Sequence, residues 1–280
     1  MQHIPEQMKA AYLPGNSTVE IKDEPVPEPG PGQVLLKSKA STICGSDIQA
    51  IYREHKGKGP EAYQNVVAGH EPCGQIVKCG PKLKRFNTGD RVIVYHISGC
   101  GVCNDCRQGY MVSCPSHHRE AYGWQRDGGM AEYILADEKD LVNLPNDLTY
   151  TDGAQVACGF GTVYEAIQKT GLSGDDAVLV VGLGPVGLAN SMIAKAMGAN
   201  KVIGVDIVEN RIALAREKDV VDEAHSAAKD GIMDKISAST AGYGVEKAFD
   251  CSGSDQGRQL AIRATRQRGH VAFIGEGGQV

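Results

Sequence analysis

The stretch VLVVGLGPVGLANSMIAKAMGANKVIGVD, residues 178–206, constrains the fold more than any other part of the chain. It opens on a short apolar run of strand length, continues as a helical pattern, and closes on a second apolar run that ends at Asp206. Between the first strand and the helix stand Gly182, Gly184 and Gly187 in the spacing G-x-G-x-x-G, with Pro185 and Val186 filling the gap. Gly182 permits a tight turn, and Gly184 lets the backbone approach a pyrophosphate resting on the helix N-terminus. Gly187 allows close helix–strand packing. Asp206 can accept hydrogen bonds from both ribose hydroxyls, and its charge repels a 2′-phosphate, which favours NAD over NADP. Arg211 is grouped with these cofactor-side residues, although a helix-surface charge suits it better than a phosphate clamp. Downstream, NRIALAREK reads as a helix, KAFDCSG as a strand, then comes another helix and the strand HVAFIG. Strands alternating with helices imply an α/β fold with a doubly wound parallel sheet, in which five strands can be read and a sixth cannot.

Upstream of about residue 150 the period changes. QVLLKSKAS, CGQIVKCG, DRVIVYHI and AEYILA are short apolar alternations punctuated by Gly and Pro, the pattern of β structure. The expected domains are therefore 1–153, largely β, and 154–280, nucleotide-binding. The 280 residues carry 22% charged side chains and a net charge of -5, with no basic run, so nucleic acid is not expected as a partner. No apolar run approaches a membrane span, and the opening MQHIPEQMKAAY carries no apolar stretch of a secretory signal. A cytoplasmic location is expected, where nine cysteines would stay reduced.

Four of those cysteines crowd into CGVCNDCRQGYMVSC: Cys100, Cys103, Cys106 and Cys114. Disulfides conflict with a reducing compartment. An iron–sulfur site of the bacterial ferredoxin type spaces its last cysteine by three residues, where here the gap is seven. Four thiolates around one tetrahedral zinc need only a loop that folds back on itself, for which Gly99, Gly101 and Gly109 provide. Such a zinc has no open position and is structural.

With these motifs the chain resembles the zinc-containing medium-chain dehydrogenases, the family of alcohol, polyol and threonine dehydrogenases. The resemblance runs from about Lys9 to Gly278 and implies a GroES-like catalytic domain, with the zinc lobe at about 96–116, ahead of a Rossmann domain. It marks Cys44 in ICGSD, His70 in GHE and Cys158 in ACGFGTVY as ligands of a second, catalytic zinc, giving two zinc ions per chain. Two thiolates and an imidazole leave one tetrahedral position for water or an alcohol oxygen. The same resemblance places Glu71 behind the metal, where it can replace the water. It makes Asp47 the partner that orients His70, Ser46 the hydroxyl that passes the substrate proton outward, and Thr162 a residue packed on the nicotinamide.

Three positions depart from the commonest family patterns. Gly45 matches the polyol and threonine branches, whereas Cys158, with Ala157 before it, matches the alcohol dehydrogenases. Gln49 replaces the usual relay histidine and cannot take a proton near neutral pH, leaving ribose hydroxyls, water or His55 to continue the relay. The activity implied is hydride transfer from a secondary alcohol or polyol to NAD. Threonine-type hydroxy amino acids are the alternative substrates, and an inactive zinc- and nucleotide-binding remnant is the alternative outcome. Cys73, Cys79 and Cys251 read as buried strand cysteines; Trp124 reads equally as core or as substrate contact. Because the family continues for several dozen residues past VAFIGEGG, a truncated form is expected, lacking the last strand and the C-terminal return. Full-length relatives are expected to be homodimers or homotetramers, and the assembly of this shorter chain is left open.

Overall fold

The computed structural model describes residues 3–279 and divides into two compact units, Met1–Cys158 and Gly159–Val280. In the first, β1 (Gln7–Tyr12) and β2 (Glu20–Pro25) pair antiparallel. The central strands β3 (Gln33–Thr42), β4 (Glu71–Cys79) and β5 (Arg91–Val94) follow. Two-residue strands β6 (Ile97–Ser98) and β7 (Glu120–Ala121) pair at the stem of the cysteine lobe, which carries the short helix α1 (Asn104–Arg107). With β8 (Tyr133–Asp137) and β9 (Leu141–Asn143), the main sheet is antiparallel in the order β8-β3-β4-β5-β9. Val34, Leu36, Ile76, Val92, Val94, Ile134 and Ala136 form one core face, as the alternation requires.

Two details correct the reading from sequence. DRVIVYHI is not one strand: β5 ends at Val94, and β6 begins only at Ile97, so Tyr95 and His96 sit in a break. Helix α2 (Tyr150–Gln155) runs on as a π-helical turn through Val156–Phe160, and the division between the compact units falls after Cys158. Thr149 and Asp152 cap the start of α2 reciprocally. Of the three remaining cysteines, only Cys73 is fully buried in a strand. Cys79 ends β4, and Cys251 follows the strand that ends at Asp250; both are partly exposed.

The second unit opens with α3 (Gly161–Thr170), then β10 (Ala177–Val181), α4 (Pro185–Ala196), β11 (Lys201–Asp206) and α5 (Glu209–Glu217). After these come β12 (Glu223–Ser226), α6 (Ile232–Ser239), β13 (Val245–Asp250), α7 (Asp255–Ala264) and β14 (Thr265–Phe273). The five strands are parallel in the order β12-β11-β10-β13-β14. The central strand is buried on both faces: Val178 and Val180 join one core cluster, Leu179 and Val181 the other. The strand order reverses between β10 and β13, the switch point at whose carboxyl end such sheets bind ligands. Among the described residues no helix is long and apolar enough to cross a membrane.

Candidate metal centre and cofactor turn

The register of β3 on β4 builds the first site. Thr42 pairs with Glu71, so the chain leaving β3 and the chain entering β4 bring Cys44 and His70 together just beyond the last pair. The Thr42 hydroxyl donates to Glu71 Oε2. Asp47, 1% exposed, ties the two ligand-bearing segments together. Its Oδ2 accepts the backbone N–H of Cys44 at 2.9 Å and its Oδ1 the Nδ1–H of His70 at 2.8 Å. That bond fixes the tautomer and leaves Nε2 as the ligand nitrogen. From α2, which packs on β4 closely enough that a Cβ at Gly153 would come 2.6 Å from Cys73 Sγ, the following π-helical turn delivers Cys158. π-helical turns inside helices frequently mark functional sites. The candidate ligand atoms of Cys44, His70, Glu71 and Cys158 lie within 4.8 Å of one another.

The electrostatics suit a cation. The Cys44 thiol is held down at about 3 by hydrogen bonds from Cys158, His70 and Ser46, against its burial. Burial works against charging His70, yet Asp47 and Cys44 raise it to about 10. Glu71 is pushed up, by burial first and by the Cys44 charge next. Two thiolates, an imidazole whose other nitrogen is tied to a carboxylate, and a carboxylate alongside match the chemistry of a catalytic zinc site.

Ser46 is partly exposed and within hydrogen-bonding reach of Cys44, while Gln49 is exposed. His55 donates from Nε2 to the Leu13 carbonyl at 2.7 Å and packs against Tyr63, so that nitrogen is committed to the fold. Trp124 does two things: it packs with Leu13, Ile51, Tyr63 and Ala68, and it meets His70 edge-on at 6.4 Å between ring centroids. His96, which the sequence did not single out, has its ring centroid 5.6 Å from that of His70. Its Nδ1–H donates to the carbonyl of Ala157 at 2.9 Å, and burial, with His70 next, holds it down at about 4.

The four cysteines of the lobe form the second cluster, their sulfurs within 4.8 Å of one another. Cys100–Cys106 and Cys103–Cys114 are 4.0 and 3.9 Å apart. Four bonds of about 2.3 Å to a tetrahedral ion put sulfurs about 3.8 Å apart, whereas a disulfide needs about 2.0 Å. Backbone N–H groups of Cys103, Cys106 and Cys100 donate to the sulfurs of Cys100, Cys103 and Cys114, each at 3.4 Å, as thiolates require. A Cβ at Gly99 would lie 2.5 Å from Cys106 Sγ, so this close approach needs glycine. Lys139 fastens the stem by donating to Ser98 Oγ at 2.7 Å and to the Gly99 carbonyl. Cys106→Ser is expected to lower the metal content by about one ion per chain and to lower the melting temperature. Elemental analysis and thermal denaturation check this; an iron–sulfur absorption band would contradict the zinc assignment.

In the second unit, Gly182 has φ +91°, and a Cβ on Gly187 would come within 1.7 Å of the Gly182 carbonyl oxygen. Around Gly184, the start of α4, no atom lies closer than 3.9 Å to a would-be Cβ, which leaves room for a ligand against the Pro185–Val186 turn. Asp206 is 5% exposed. Its Oδ2 accepts Leu183 N–H at 2.6 Å and its Oδ1 accepts Val208 N–H at 2.8 Å, so it locks the glycine turn to the end of β11. Arg211 is more than a surface charge: its Nη1 lies 3.6 Å from Asp206 Oδ2 and faces Gly184. Thr162 is exposed in the first turn of α3.

Residues 30–146 match the alcohol dehydrogenase GroES-like domain family and residues 185–280 the zinc-binding dehydrogenase family. An uncharacterized zinc-type alcohol dehydrogenase-like protein of Escherichia coli (strain K12) is 52% identical, across 98% of this chain and 78% of that protein. The sorbitol dehydrogenase of Halalkalibacterium halodurans is 33% identical, across 93% of this chain and 74% of that one. The structure of a putative zinc-binding dehydrogenase from Sinorhizobium meliloti 1021 bound to NADP superposes with a TM-score of 0.84 at 27% identity, over 98% of this chain and 78% of the other.

Proposed function

The chain belongs to the zinc-containing alcohol dehydrogenase family and is thus an oxidoreductase, and we propose that it transfers a hydride from a secondary alcohol or polyol to NAD. The observation that carries this reading is the Cys44–His70–Cys158 cluster with Asp47 behind its histidine. Those three residues would hold zinc, with Glu71 close enough to exchange for a ligand. When bound there, zinc supplies Lewis-acid polarisation that makes an alcohol hydroxyl more acidic. Ser46 would take the hydroxyl proton and pass it outward to water; a bound nicotinamide would supply the acceptor for the carbon-bound hydrogen and its electron pair, so that a secondary alcohol would give a ketone, NADH and one proton. The glycine turn and the N-terminus of α4 would hold the pyrophosphate, and Thr162 would support the nicotinamide.

The test combines metal analysis with an NAD-reduction screen over secondary alcohols, polyols and threonine. Zinc-dependent NADH formation with an alcohol or polyol is expected. A zinc-loaded protein that reduces NAD with none of them overturns the reading, and a response to threonine alone moves it to hydroxy amino acids.

Cofactor choice rests on Asp206. Its backbone bonds leave each carboxylate oxygen a lone pair for a ribose hydroxyl, while Arg211 offsets part of its charge. Asp206→Ser is expected to weaken NAD and narrow the gap to NADP by at least about tenfold, or about 1.4 kcal/mol. Because two backbone donors lose their acceptor, the melting temperature falls as well. Steady-state kinetics with both cofactors check this. A wild type that prefers NADP, or an unchanged ratio in the variant, would assign the ribose to another residue.

A further inference from the structure

His96 belongs to no motif, and its place in the chain is unusual. The apolar alternation should carry it through a continuous strand, yet the sheet stops at Val94 and resumes at Ile97. Within the break, Tyr95 N–H donates to the Asp140 carbonyl and the His96 carbonyl accepts Tyr122 N–H, at 2.8 and 2.9 Å. The His96 backbone is therefore held from outside the main sheet, and its ring is turned toward the ligand cluster.

There it makes one directed bond, from Nδ1 to the carbonyl of Ala157. Ala157 is 3% exposed and immediately precedes Cys158. The carbonyl can only accept, so Nδ1 carries the proton and the tautomer is set. Asp47 restrains Cys44 and His70, one through its backbone and the other through its ring. Cys158 sits in a π-helical turn, and the bond from His96 to the preceding carbonyl is directed to that turn from this cluster. We propose that His96 is a positioning residue for Cys158, restraining this third ligand as Asp47 restrains the other two. This rests on the metal-site reading above.

Asparagine and glutamine distinguish the two ring nitrogens. The amide of His96→Asn falls near the Nδ1 position and can still donate to Ala157, whereas that of His96→Gln falls near Nε2 and cannot. Both are polar and similar in size, so a general loss of packing affects them alike. Wild type and variants are loaded with Co2+, and the thiolate-to-cobalt charge-transfer band that Cys158→Ser removes is followed during challenge with a chelator. His96→Asn should keep the band and its rate of metal loss within about threefold of wild type. His96→Gln should shift the band and lose that metal at least about tenfold faster, with the four-cysteine lobe unaffected. Equal behaviour of the two variants, whether both retain or both lose the metal, overturns the role given to His96. If wild type shows no band sensitive to Cys158→Ser, the metal-site reading fails with it.

Discussion

His70→Ala is expected to lower kcat/KM for any alcohol substrate by at least about a thousandfold, equivalent to about 4 kcal/mol of transition-state stabilisation, while NAD still binds. Alanine removes the only nitrogen ligand from a cluster whose other donors are two thiols and a carboxylate. It also strands Asp47, which is 1% exposed and keeps only the backbone N–H of Cys44 as a partner. Leaving a buried carboxylate half-satisfied costs stability as well as metal, so the melting temperature should fall too. Nucleotide affinity should survive because the glycine turn belongs to the other compact unit. Metal content, NAD titration and kinetics together check this pattern; near-normal turnover in the variant would remove His70 from the mechanism.

Gly187→Ala should have the largest effect on stability. Its Cβ would sit 1.7 Å from the Gly182 carbonyl oxygen, and that carbonyl cannot easily retreat. Gly182 is pinned by its N–H bond to Val205 at 2.7 Å and by a positive φ that fixes the turn. Overpacking ordinarily costs about 1–3 kcal/mol when flexible side chains can adjust; backbone against backbone should reach or exceed the top of that range. Gly184→Ala is the contrasting case. Its φ of -71° suits alanine and nothing crowds the new methyl group, so the protein should fold normally and lose NAD affinity only. Thermal denaturation with nucleotide titration separates the two. Equal melting temperatures would mean that the turn tolerates a side chain at Gly187 and that its glycine serves the ligand instead.

The parts legible in the sequence were those whose physics is local. The glycine turn works through neighbours within six residues, and the four-cysteine lobe closes over fifteen, so spacing alone carries their chemistry. Cys44, His70 and Cys158 are far apart in the chain, and only their resemblance to family motifs joined them. What stayed hidden depends on tertiary contact. Five strands were expected, but none of the quoted runs covers β12, Glu-Ala-His-Ser, which as an edge strand has no apolar run. Its Glu223 pairs with Lys201 and Ser239 at the margin of the sheet. Lys139 reaches Ser98 from 41 residues away, and His96 reaches Ala157 from 61. His96 was also masked by a strand-like alternation that the fold interrupts. Arg211 read as a surface charge because its partner, Asp206, lies at the end of a different element.

Metal stoichiometry of the purified chain, compared with Cys158→Ser and Cys106→Ser, reads the two clusters separately. One zinc ion is expected for each of the two clusters, with each substitution removing one ion and only Cys158→Ser abolishing alcohol-dependent NAD reduction without disturbing the lobe. A chain that holds a single zinc unaffected by Cys158→Ser would contradict this, as would iron in place of zinc.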